Sequence, residues 1–261
     1  MDYINRHHAI MDRVHLHYEY AIRHYGRENV LGVFLYGSQN YECDNEGADV
    51  DTKCILLSDL YHLAIHPYQT THLHIPREDG QDSEVCECMT IQHMVHNWKK
   101  QNPNFLEIMF THFYVINPEY EDLWWNYIDS HREYIARYDV RQGIMSIAHQ
   151  AKNTIKQGPF DGKKIGNGYR LMHLLCMYEA GEPYKECLVP TPDCEMIRRL
   201  KAGRLPVQVL DAEVLTSFFD GMIVKYEDKE MGVNKAIAIS LENFIMELLK
   251  RRIRREDYGT T

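Results

Sequence analysis

Val33-Phe34-Leu35-Tyr36-Gly37-Ser38 and, ten residues later, Asp49-Val50-Asp51 within ADVDTKCILL (48–57) decide how this chain is read. Val30 to Tyr36 is a short apolar run rich in β-formers that stops at Gly37, which predicts a buried strand running into a turn. Residues 48–57 predict a second strand. Residues i and i+2 of a strand share a face, so Asp49 and Asp51 project together while Val50 turns inward. Adjacent carboxylates on a rigid strand repel, and a divalent cation relieves the repulsion. Mg²⁺ takes one or two carboxylates and fills its shell with substrate phosphates. Gly37 lets a phosphate approach the backbone, and the amides of the turn and the Ser38 hydroxyl can donate to it. Taken singly, Asp-Val-Asp is also a solvated strand face and Gly-Ser also a hairpin turn. Their succession, each after its own β-type run, points to a holder for a metal-bound triphosphate.

Upstream, Ile10, Val14, Tyr18 and Ile22 recur at helical spacing, and Gly26 stops a helix over 1–29. Downstream, residues 58–82 read as irregular, with Pro67, Pro76 and Gly80. Residues 83–90 (SEVCECMT) read as a third strand, and Ile91 to Lys100 as a helix ended before Pro103. Past Ser130 the pattern is helical, with a loop expected over QGPFDGKKIGNG (157–168) and helices over 193–202, 211–226 and 233–255. These elements predict an α+β chain: a mixed β-sheet flanked by helices in residues 1–130, then an all-helical part in 131–261.

The balance of 29 Lys and Arg against 38 Asp and Glu gives a net charge of −9, which argues against a protein that coats nucleic acid along its length. No stretch has the apolar length of a membrane span, and no secretory signal precedes the seven Cys. The expectation is a cytoplasmic protein with reduced thiols and no membrane partner. Cys86-Glu87-Cys88 lacks zinc spacing and a second pair.

The Gly37-Ser38 and Asp49-Val50-Asp51 pair resembles the signature of the DNA polymerase beta-type nucleotidyltransferase superfamily. Lys99 to Phe110, containing Asn102-Pro103-Asn104, Glu107 and Phe110, resembles the NPN-h-h-E-h-h-F segment of its branch of predicted nucleotidyltransferases related to RNA-repair-pathway proteins. Lys164 to Met172 is similar to that branch's K…h..RL helix. The resemblance spans roughly residues 30–205. It implies a polymerase-beta-like catalytic domain followed by a helical domain. It implies transfer of a nucleoside monophosphate from a nucleoside triphosphate to an acceptor hydroxyl, with two Mg²⁺ ions, or Mn²⁺ in their place. It also implies a third carboxylate on a later strand. Asp82, Glu84 and Glu87 are the candidates, with Glu87 preferred and Glu84 next. In this reading Asp49, Asp51 and Glu87 are catalytic and hold the metal, and Gly37, Ser38, Lys164 and Arg170 bind the nucleotide. Lys164 and Arg170 read equally as a solvated helix face. The acceptor is an RNA 3′ end, ahead of tRNA, a protein side chain or a small molecule. The competing expectation is a nucleotide- or RNA-binding protein that keeps the fold without turnover.

Three features carry less weight. His72 and His74 share a strand face but find no third metal ligand in the sequence, so a surface or loop role is expected. Trp98, Trp124 and Trp125 read as core anchors rather than base-stacking platforms. The run Lys250 to Arg255 complements the dipole of the helix it ends, with an electrostatic landing site for RNA as the alternative reading.

Overall fold

The computed structural model describes residues 3–45, 48–57, 67–77, 80, 83–156, 161–191 and 193–258. A 23-residue helix, α1 (Tyr3–Tyr25), leads into strand β1 (Val30–Leu35). Strands β2 (Thr52–Leu56), β3 (Thr70–Ile75), β4 (Glu84–Thr90) and β5 (Tyr114–Ile116) complete one five-stranded sheet in the order β3-β4-β2-β1-β5. β2 and β4 run parallel and every other pair is antiparallel, so the sheet is mixed. β3, within the stretch expected to be irregular, is an edge strand. Its Thr and His side chains are mostly exposed, which hides the apolar alternation of a half-buried strand.

The two faces of the sheet are covered differently. α1 covers one, where Ile10, Val14, Tyr18 and Ala21 pack on Val33, Leu35, Cys54, Cys86 and Cys88. The other face begins with Leu31, Phe34, Ile55 and Met89. It is met by helix α2 (Ile91–Lys99), whose Ile91, Met94, Val95 and Trp98 form a buried i, i+3, i+4, i+7 stripe behind a Thr90 N-cap. Short helices α3 (Pro103–Leu106), α4 (Glu121–Tyr127) and α5 (Arg132–Ala136) follow. After them come α6 (Val140–Lys156), α7 (Gly162–Ala180), α8 (Tyr184–Leu188), α9 (Cys194–Lys201), α10 (Val209–Tyr226) and α11 (Lys235–Tyr258).

The apolar core continues past residue 130: Leu31 and Phe34 share one cluster with Ile144, Leu171, Phe244 and Leu248. α11 also reaches back to the end of β2 and to α4 through polar bonds. Arg252 donates to the Leu57 carbonyl at 2.8 Å, and Arg251 grips both Asp122 oxygens at 2.6 and 2.8 Å.

α7 begins inside the stretch expected to be a loop. Asp161 caps it, accepting from the Lys164 amide at 2.8 Å, and residues 157–160 lie outside the described residues. The glycines that suggested a loop serve close packing instead. A Cβ on Gly162 would lie 1.8 Å from the Leu200 carbonyl oxygen, and one on Gly168 would lie 2.8 Å from Leu215. Among the described residues no helix is long and apolar enough to cross a membrane. All seven Cys are free thiols.

Candidate active site

β1 and β2 pair antiparallel, with Leu35 opposite Thr52. The turn leaving β1 therefore stands beside the residues entering β2. The Tyr36 amide donates to the Asp51 carbonyl at 3.0 Å, and Gln39 Nε2 donates to the Ala48 carbonyl at 2.9 Å. Gly37 has φ 87°, a left-handed conformation suited to glycine. A Cβ placed there would sit 3.9 Å from Asp51 Oδ2, so the Gly-Ser turn and the Asp51 carboxylate occupy one edge. The turn is wound by backbone bonds from Asn40 to the Gly37 carbonyl and from Cys43 to the Ser38 carbonyl. The Ser38 side chain makes no hydrogen bond among the described residues. The Gly37 amide, in contrast, is committed: it donates to Glu107 Oε1 at 3.1 Å.

Asp51 is half-buried, and its pKa is raised, first by burial and then by the neighbouring Asp49 carboxylate; the positive charge of Lys163 opposes both. Asp49 is exposed and pairs with Arg77. The parallel register sets Lys53 beside Glu87. With a period of two, Asp51, Lys53 and Glu87 fall on one face, the face of Tyr36 and Phe34. Lys53 bonds Glu87 and lies 4.0 Å from the Tyr36 ring centroid and 4.7 Å from that of Phe105. The Lys53 side chain is only 3% exposed, so Glu87 is the counter-ion that makes its burial tolerable. The Tyr36 hydroxyl has its pKa pushed up by burial and by the negative charges of Asp51, Glu87 and Glu107.

Glu84 takes the opposite face, under α1. Its Oε2 accepts from Arg13 Nε at 2.7 Å and lies 3.0 Å from His17 Nε2, while its Oε1 accepts from the Val50 amide at 3.1 Å. His17 Nδ1 stands 2.8 Å from Thr52 Oγ1. Glu84 is thus a buckle behind the Asp49-Val50-Asp51 segment, and Glu87 is the candidate third acid on its front. Asp82 lies outside the described residues.

Among the described residues no three His, Cys, Asp or Glu stand together at metal-binding spacing. The donor chemistry of Asp49 and Asp51, two carboxylates whose mutual repulsion raises one of them, fits one Mg²⁺ shared with phosphate oxygens. Glu87 would join such a site by exchanging Lys53 for the metal.

No protein-family model and no curated protein matches the chain.

The helical half contributes differently from the sequence expectation. Lys164 stands 3.6 Å from Asp161, on the turn that caps α7. It is Lys163 whose charge acts on Asp51, because it shares a face with Gly166 and Arg170 at i+3 and i+7. Arg170 is 6% exposed, and its guanidinium lies 4.1 Å from the Tyr41 ring centroid. Its Nε finds no hydrogen-bond partner among the described residues. Its charge faces Glu107 and Tyr41 inside the protein rather than solvent.

The sequence reading passed over three charged residues of this region, Lys53, Arg77 and Lys163, which carry no motif. Glu107 reads in the sequence as the acid of the NPN segment, without a role in the site.

Proposed function

We propose that this protein is a Mg²⁺-dependent nucleotidyltransferase with a polymerase-beta-like fold. In this reading residues 1–130 are the catalytic part, and residues 131–261 are a helical part that brings Lys163 to the triphosphate. The observation that carries it is the shared edge of the Gly37–Ser38 turn and Asp51, with Asp49 beside them. Ser38 donates to the β- and γ-phosphates. Asp49 and Asp51 hold the ion, with Glu87 as a further ligand. Bound Mg²⁺ supplies positive charge against the α-phosphate and the departing pyrophosphate.

An acceptor hydroxyl oxygen attacks the α-phosphorus, and the bond from that phosphorus to the bridging oxygen breaks. Pyrophosphate leaves, and the hydroxyl proton passes to Glu87. The RNA 3′ end is the preferred acceptor, before tRNA, a protein side chain or a small molecule, and the reaction is placed in the cytoplasm. The test offers four α-labelled NTPs with Mg²⁺ or Mn²⁺ to the protein in the presence of total RNA and protein. Label should enter one acceptor class with release of pyrophosphate, and the double variant Asp49→Asn/Asp51→Asn should transfer none. Undiminished labelling by that variant would refute the mechanism.

One observation favours the competing reading of a non-catalytic nucleotide binder: Glu87 is engaged by Lys53. Triphosphate binding without pyrophosphate release from any of the four NTPs would decide for it.

A further inference from the structure

Glu107 is an acid that the proposed chemistry does not use, yet it lies directly beneath the phosphate turn. Asn102 caps α3 by accepting from the Asn104 amide at 3.1 Å, and Pro103 takes the first helical position. α3 carries Leu106 into the core, and the 3-10 turn Glu107–Met109 that follows it buries Ile108 and Met109, with Glu107 going in with them at 2% exposure. Burying a carboxylate is expensive unless it is paired and hydrogen-bonded. Apart from the Phe110 amide, which donates to the Glu107 carbonyl within its own turn, the bonds of Glu107 lead to one place. Its Oε1 accepts from the Gly37 amide at 3.1 Å, and its own carbonyl accepts from Asn40 Nδ2 at 3.4 Å. Both donors belong to the turn that carries Ser38. The cations that face it are Arg170 from α7 and Lys53 from β2, and the phenols of Tyr36, Tyr41 and Tyr184 complete its surroundings. Burial pushes its pKa up to about 7 despite these cations, so the carboxylate is held at a cost to the fold.

We infer that Glu107 is a positioning residue whose carboxylate fixes the Gly37–Ser38 turn, so that Ser38 and Asp51 meet one anionic ligand. The anionic ligand is the polyphosphate of the function proposed above, and this part of the inference rests on that reading. The Gly37 amide has an internal carboxyl oxygen as its partner. Ser38, one residue on, is left for the external one.

The test uses the full chain and inorganic tripolyphosphate with Mg²⁺ as a base-independent probe. Calorimetric Kd values are measured for wild type, Glu107→Ala, Glu107→Gln, Ser38→Ala and the double variant Ser38→Ala/Glu107→Ala. Amide resonances of Gly37 and Ser38 are recorded without ligand. Glu107→Ala should weaken binding at least ~10-fold. Glu107→Gln, which keeps an acceptor for the Gly37 amide, should stay within ~3-fold of wild type. The double variant should lose no more than the worse single variant, since both changes remove one contact. If Glu107→Ala does not fold, Glu107→Asp replaces it, retaining the charge but falling short of Gly37. Additive losses, or wild-type affinity in Glu107→Ala, would overturn the inference. If wild type itself does not bind tripolyphosphate, the function reading fails, and the amide spectra decide the positioning role alone. Gly37 and Ser38 should then shift and exchange faster in Glu107→Ala but not in Glu107→Gln, and unmoved resonances would reject it.

Discussion

Replacing Glu84 by Ala should cost this protein a large part of its stability. The change removes the shared acceptor of Arg13, His17 and the Val50 amide at the junction of α1, β2 and β4. Burial alone would push the Glu84 pKa up. The hydrogen bonds from His17, Arg13 and Val50 outweigh burial and hold it below the ordinary carboxylate value. Removing one partner of a buried ion pair costs about 3–5 kcal/mol. The Arg13 side chain keeps 21% exposure and can recover some hydration, so about 3 kcal/mol is expected. At roughly 2–4 °C per kcal/mol for a chain this size, Tm should fall by roughly 6–12 °C at pH 7. Glu84→Gln retains an acceptor for Val50 and should lose less. A lowered folded pKa gives stability that is present above the unfolded value and lost as pH falls through the folded one. The gap between wild type and Glu84→Gln should therefore close on acidification below the usual carboxylate range. Differential scanning calorimetry over a pH series reads all of this. A fall of less than ~2 °C in Glu84→Ala, or a gap independent of pH, would refute the reasoning.

Three further outcomes are expected. Asp51 has a raised folded pKa, so its ionised form weakens the fold at neutral pH; Asp51→Asn should melt no lower than wild type while losing nucleotidyl transfer, read by calorimetry and labelling together. Gly162→Ala would force its new methyl into the Leu200 carbonyl, and separating α7 from α9 should cost on the order of 1–3 kcal/mol in urea denaturation. Glu107 also has a raised folded pKa, about 7, so the folded state takes up its proton before the unfolded chain does. Relative to Glu107→Gln, wild type should therefore gain stability as pH falls from about 7 towards the ordinary carboxylate value, and a flat difference across that window would contradict the burial of a charged Glu107.

The sequence was most legible where one residue pattern answers to one environment. The runs that form β1 and β2 are buried almost throughout, as strands covered on both faces should be, and the stripe of α2 is buried at helical spacing. β3 escaped because an edge strand facing water has no apolar alternation to read. α7 started early because Gly162 and Gly168 are places of close approach, and composition alone does not separate a packing glycine from a loop glycine. The choice between Glu84 and Glu87 was half legible. Positions three apart on a strand must face opposite ways, but only the Lys53–Glu87 register tells which one shares the face of Asp51. Lys163 and Lys164 posed the helical version of that question, which turned on where Asp161 begins the helix. Arg77 with Asp49, and Glu107 with Gly37, join residues 28 and 70 positions apart, and no local pattern announces such pairs.

The reach of α11 back to the end of β2 governs how the protein is made. Arg252 and the Leu57 carbonyl that it caps are separated by 195 residues. At roughly 5–20 residues per second, a ribosome that has finished β2 needs about 10–40 s more to deliver that arginine. The apolar face of the sheet is closed sooner, by α2 and Trp124, so through that interval it is α2 and α4 that wait for α11 to pack on them.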